Sequence, residues 1–315
     1  MSEISITKSL LTLCLTFIFG GVFGQESRNE IGFVTENDLY TSSVYDRYYT
    51  NGLEIYFIKP ISARKAEKRL LGFRAGQYLY NPQTRDADNL LVNDRPFCGL
   101  LFGEASIFRY YKSENYFRTE VQLGYIGPNS FGEEMQETFH NLSNFKTVRG
   151  WQNQIHNAFL AQFNATHYLA LPWVSNSKFS FGWQNKIQLG TILTGVTSGF
   201  NARIAIHKLL PIYESNLYQA SAGKQTQPKP RELYFFLNPN FNYQFYDATI
   251  QGSLFSDSSP VTFDLIPIRF VFEAGFKYRY NRFNAHYTFN YRSQEVDNNV
   301  NMAYFYGSIK LGYLF

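Results

Sequence analysis

Cysteine is almost missing from this chain: Cys14 and Cys98 are the two in 315 residues, and Cys14 falls in an apolar N-terminal run. Without that run a single thiol remains, which excludes an intrachain disulfide scaffold and a cysteine-based zinc site. Cys98 then reads as a small packed residue, not a nucleophile. Long hydrophobic runs are missing as well. After residue 24 no stretch approaches the roughly 20 apolar residues of a helical membrane span. An excess of one charge is also lacking. The net charge is only +4 and the basic residues are scattered, which gives nucleic acid no patch to bind.

The N-terminus carries Lys8, apolar residues from Leu10 to Phe19, and then Gly20, Gly21 and Gly24. A charged start, a short greasy centre and small residues before the cut describe a secretory signal peptide, residues 1–24. The run is too short for an anchor. One domain is expected over residues 25–315.

What is abundant is aromatic: 18% of the chain, with 24 Tyr and 31 Phe, at a mean hydropathy of −0.29. So much apolar surface in a slightly polar chain requires alternation. Ile268, Phe270, Phe272, Ala274, Phe276, Tyr278 and Tyr280 interleave with Arg269, Glu273, Lys277 and Arg279, and Ala285, Tyr287, Phe289 and Tyr291 repeat the pattern. Sandwich strands average about 5–6 residues, whereas these run to about 10–14 with aromatics at their ends, as transmembrane barrel strands do. The terminal segment, ending at Phe315, resembles the assembly signal of such barrels.

Extended over the chain, the alternation predicts strands near 29–38, 50–60, 69–80, 98–111, 116–126, 155–168, 177–190, 199–208, 231–246, 266–280, 283–294 and 302–315. The expectation is all-β: a 12-stranded antiparallel transmembrane β-barrel, even-numbered as closed bacterial barrels are. With both termini inside, 61–68, 112–115, 169–176 and 281–282 are short inner turns. Loops 39–49, 81–97, 127–154, 247–265 and 295–301 lie outside. The exception is 209–230, with Pro211, Pro228 and Pro230: a long inner connection to which the sequence assigns no function.

Polar clusters collect at the outer rim. In the third outer loop Ser130-Phe131-Gly132-Glu133 matches a capping box, predicting a short helix with Glu133, Gln136 and His140 on one face. Such a helix could set an imidazole as general base against the wall, or be a solvated polar face. Glu36-Asn37-Asp38 offers hard oxygen ligands suited to calcium, or a plain strand-to-loop junction. Neighbouring strand residues share a site only at a strand end or bulge. Thr50-Asn51-Gly52 could be turn chemistry. Arg95, before Pro96, could order its loop or meet lipid phosphates.

Taken together, Glu36-Asn37-Asp38, Asp46-Arg47-x-Tyr49-Thr50-Asn51-Gly52, Asp94-Arg95-Pro96, Gly127-Pro128-x-Ser130 and Gln136-x-x-x-His140 resemble the outer-membrane lipid A 3′-O-deacylase family, over essentially the whole mature chain. The resemblance implies a calcium-dependent esterase, a monomer in the outer membrane, acting on the 3′-linked acyloxyacyl chain of lipid A in lipopolysaccharide. It implies His140 as the base, Asn37 and Asp38 holding metal and ester, and Thr50 and Gln136 as further active-site positions. Arg85 and Arg95 would contact substrate. The chain departs from the family at Phe97-Cys98, where Tyr-Ala is usual, and at Arg85-Asp86, where some members carry Lys-Arg. An outer-membrane phospholipase, or a pore or adhesive barrel without catalysis, would share many of these features.

Overall fold

The computed structural model describes residues 28–41, 48–63, 65–83, 89–143, 148–300 and 302–315. Among them are the strands β1 (Glu30–Asn37), β2 (Tyr48–Ile61), β3 (Lys68–Asn81), β4 (Cys98–Tyr110), β5 (Tyr116–Ile126) and β6 (Ala158–Ala170). β7 (Phe179–Gly190), β8 (Leu193–Ala205), β9 (Arg231–Asp247), β10 (Ile268–Tyr280), β11 (Phe283–Ser293) and β12 (Ala303–Leu314) complete the set. Each pairs antiparallel with its sequence neighbours, and β1 closes on β12 with Glu30 opposite Leu314 and Asn37 opposite Gly307. A closed barrel has no edge strand, so every ladder group within the membrane has a partner. No described helix is long and apolar enough to cross a membrane; the strands do so.

Alternation separates the two faces. Ile55, Phe73, Val121 and Leu123 are exposed on the outside, while Glu54, Arg74, Glu104 and Glu120 line the lumen. The lumen charges are paired: Arg74 Nη1 lies 3.0 Å from Glu54 Oε1, and Arg118 Nη2 lies 2.6 Å from Glu104 Oε1 and 3.1 Å from Glu120 Oε1. Unpaired, such buried charges would each cost several kcal/mol.

The strand that differs most from expectation is β8, which begins at Leu193 and not near residue 199. Gly195 and Gly199 bring no side chains to its lumen face, and Ser198 interrupts the lipid-facing row of Val196, Phe200 and Ile204, so the period is hidden. β7 and β8 are therefore joined by Thr191 and Ile192 alone.

The long inner connection, residues 206–230, has a structural explanation. It folds into the end of the barrel that holds both termini, burying Leu209, Ile212, Leu217, Ala220 and Ala222 against wall residues such as Leu70, Tyr110, Tyr116 and Tyr234. Irregular buried backbone needs partners for its carbonyls. Wall cations supply them: Lys68 Nζ donates to Ala220 O (2.9 Å), Lys277 Nζ to Leu217 O (3.1 Å), Arg203 Nη1 to Leu210 O (3.2 Å), and Arg279 to Glu214 O. Tyr218 stacks on Tyr116 with 4.4 Å between ring centroids. The segment is a plug.

Candidate active site

Outward positions near the outer rim of β1 to β4 break the rule of an apolar lipid face. Asn37, Asn51, Gln77, Leu79, Asn81 and Gly99 are in phase with lipid-facing Leu53 and Phe73, yet Gln77, Leu79, Asn81 and Gly99 are buried. The third outer loop covers them. Gly127, at φ 81°, donates its N–H to Gly99 O, and a 3-10 turn follows at Pro128–Ser130. Phe131 is left-handed at φ 55°, and helix α1 (Gly132–Ser143) then begins. Gln77 Nε2 donates to the carbonyls of Ser130 (2.6 Å) and Phe131 (3.1 Å). A Cβ on Gly132 would lie 3.0 Å from Gly99, Leu79 and Trp151, so only glycine lets α1 approach this closely.

The capping box does not form. Ser130 Oγ donates to Gly127 O at 2.6 Å, closing the 3-10 turn, and Phe131 precedes the helix. The helix is nonetheless where expected, and Gly132, Gln136 and His140 make its wall-facing stripe at i, i+4 and i+8. Gln136 is buried, with its Oε1 accepting from Trp151 Nε1 at 2.6 Å. Trp151 in turn packs on Phe97, ring centroids 5.0 Å apart, and on Leu79. His140 is half-buried.

Asn37 and Asp38 straddle a strand end: Asn37 closes β1 and Asp38 opens a 3-10 turn, Asp38–Thr41. That break in alternation frees the two neighbours from opposite faces. Asn37 Nδ2 donates to Thr50 O (2.8 Å), while its Oδ1 accepts from Leu39 N (2.8 Å). Thr50 is the extra residue of a bulge in β2, where the β3 register shifts between Tyr49 and Asn51. Asn51 and Gly52 are thus strand, not a hairpin turn. Gly52 has no Cβ to obstruct the hydrogen bond from Tyr49 OH to Glu36 in the lumen. The turn itself folds outward over β12, with Tyr40 over Gly307 and Tyr287 OH donating to Tyr40 O (3.0 Å).

These elements frame a groove on the outer surface of the wall. Its floor is Asn37, Asn51 and the Thr50 bulge; α1 borders it over β3 and β4, and the Asp38–Thr41 turn borders it over β12. Asn37 and Asn51 belong to the lipid-facing phase of β1 and β2, not to the lumen phase.

Arg95 does not face this groove. Its guanidinium is fully buried at the outer end of the lumen, between the rings of Tyr80 (4.7 Å) and Tyr48 (5.4 Å). It donates to Thr249 Oγ1 (2.8 Å) and pairs with Glu295 (3.4 Å), which also accepts from Tyr304 OH. Burial pulls the Arg95 pKa down, but the Glu295 and Asp247 carboxylates more than offset this and raise it above its ordinary value. In this arrangement protein partners surround the guanidinium, as expected if Arg95 orders its loop. It ties the second outer loop to the short helix α2 (Ala248–Gln251) and to the sixth loop. Arg85 lies outside the described residues.

Sequence reasoning missed Gln77, Gly99 and Trp151, which seat the helix. The signal was present for two of them, an amide and a glycine at lipid-facing positions of otherwise apolar strands. Nothing marked Trp151.

A closed, plugged barrel of twelve strands, with a loop helix laid on the outside of its wall above a polar groove, defines a particular class of integral outer-membrane protein. The family described as "Outer membrane protein LpxR" matches residues 10–315, and the chain belongs to that family. LpxR from Salmonella typhimurium is similar in structure, with a TM-score of 0.71 at 18% identity, covering 91% of this chain and 100% of that one. The β domain of the Bordetella autotransporter BrkA follows at a TM-score of 0.48, 8% identity and 92% and 99% coverage. The translocator domain of NalP from Neisseria meningitidis gives 0.47, 10%, and 99% and 96%. No curated protein sequence matches. The protein is a multi-pass protein of the outer membrane.

Proposed function

We propose that this chain is a carboxylic ester hydrolase that removes the 3′-linked acyloxyacyl chain of lipid A, with calcium as its cofactor. One observation supports this above the others: the polar groove lies on the outer face of the wall and opens toward the leaflet in which acyl esters reside. A lipid could reach it sideways without leaving the membrane.

In this reading the half-buried His140 is the general base that takes a proton from the attacking water. Gln136, locked by Trp151, fixes the face of α1 from which the imidazole projects. Asn37, fastened to Thr50 O and Leu39 N, and the Thr50 bulge orient the ester. The donors at the β1 end are all oxygen: the Asp38 carboxylate, the Asn37 amide oxygen and nearby carbonyls, the set a hard cation prefers. Among the described residues no group of three His, Cys, Asp or Glu side chains is placed to hold a metal ion, so the remaining calcium ligands would be carbonyls, water and substrate oxygens. Bound there, calcium would polarise the ester carbonyl and offset the charge of the oxyanion. No serine nucleophile is required.

A passive pore is disfavoured by a lumen filled at both ends, by residues 206–230 and by the Arg95 cluster. The test is mass spectrometry of lipid A incubated with the folded protein, with calcium and with chelator, beside His140→Ala. Loss of the 3′ chain that needs both calcium and His140 is expected. Unchanged lipid A together with hydrolysis of glycerophospholipid would replace the reading by a phospholipase.

A further inference from the structure

We propose that the Phe131, Met135 and Phe139 flank of α1 is a membrane-docking surface that inserts among the hydrocarbon chains of the outer leaflet. Met135 and Phe139 share one flank of α1 at i and i+4, and the left-handed Phe131 stands just before its first residue; Phe131, Met135 and Phe139 are 58%, 38% and 41% exposed. This flank lies beside the wall-facing line of Gly132, Gln136 and His140, while Glu133, Glu134 and Glu137 occupy the other side. Such a three-sided helix suits an interface, with one side on protein, one in hydrocarbon and one in water.

Its depth follows from strand register. Gln77, which holds the Phe131 carbonyl, belongs to the outward row Leu53, Gln77, Leu101, Tyr125, Phe159. Leu53, Tyr125 and Phe159 in that row are exposed and belong to the lipid-facing belt. The helix therefore starts beside the lipid-facing Leu53, which pairs directly with Gln77, and its apolar flank lies on the outside of the wall. Backbone strain supports this. Phe131 is left-handed, a conformation that costs a bulky residue about 1–2 kcal/mol and that glycine would adopt freely, yet the ring is mostly exposed. The backbone is held there by the bond from Phe131 N to Pro128 O and by Gln77 Nε2 and Met135 N donating to Phe131 O, and burying the exposed ring in hydrocarbon further offsets the strain.

The inference stands whether or not the deacylase reading holds, and its test reads no activity. Met135→Cys and Glu137→Cys, each labelled with a small fluorophore, are reconstituted in vesicles; the native Cys98 thiol is buried and does not compete. The label at 135 should be quenched several-fold more strongly by tail-labelled nitroxide lipid than the label at 137, and an aqueous quencher should reverse the order. Equal, strong aqueous quenching at both positions would overturn the proposal.

Discussion

The indole Nε1 of Trp151 donates to Gln136 Oε1 at 2.6 Å in a buried contact, joining the end of the third outer loop to the helix at its centre. Loop and helix are thereby one unit, clamped on the wall through Phe97 and Leu79. Replacing Trp151 by Phe keeps the packing but strands a buried amide oxygen, at a cost of about 1–3 kcal/mol. We expect lipid A hydrolysis to fall about tenfold or more while the barrel's heat-dependent mobility in SDS gels is unchanged.

Gly99 and Gly103 provide a matched pair on β4. A Cβ at Gly99 would collide with Ser130 Oγ, whereas at Gly103 nothing lies within 4 Å. Gly99→Val should lift α1 and abolish activity, seen as faster protease cleavage in the third loop. Gly103→Val should leave cleavage and activity as in the wild type.

Arg95 and Glu295 are coupled by burial. Arg95→Met leaves the Glu295 carboxylate with only Arg269, 3.9 Å away, so the loss should approach, without exceeding, the cost of about 3–5 kcal/mol for a broken buried pair. Urea unfolding of the folded barrel should show a loss of that order. Adding Glu295→Gln should recover part of it, because the stranded charge is gone; full additivity of the two losses would show that the pair does not act as a unit.

The plug makes a prediction about transport. In planar bilayers the intact protein should be silent, and replacing residues 209–228 by a short Gly-Ser linker together with Arg95→Ala should yield steady conductance, because both ends of the lumen are then opened. An intact protein that conducts would show that residues 206–230 do not seal the lumen as packed here.

Much of the barrel was legible because alternation over 10 or more residues is a strong signal and the strands obey it from β1 to β12. It failed at β8, where Ser198 interrupts the lipid-facing row and Gly195 and Gly199 leave the lumen face blank at their positions. The helix was legible from the spacing of Gln136 and His140, although its cap was not: Ser130 turned back to Gly127 in a 3-10 turn that local sequence does not distinguish from a capping box. Arg95 shows the limit most clearly. Its sequence context allowed either role, and only the fold brings Glu295, 200 residues away, against it. The groove was illegible as a shape, since it depends on which strands the loop helix crosses, a non-local relation. Its polar floor was visible residue by residue, and the Asn37–Thr50 contact joins two of the motifs.

The groove's sideways opening changes what concentration means for this protein. A substrate arriving through the leaflet is counted as a fraction of the surface, not as moles per litre. Diluting a vesicle suspension should leave turnover per protein unchanged, and adding inert lipid to the same vesicles should lower it. Crowding and packing of neighbouring lipids then become the variables that set the rate.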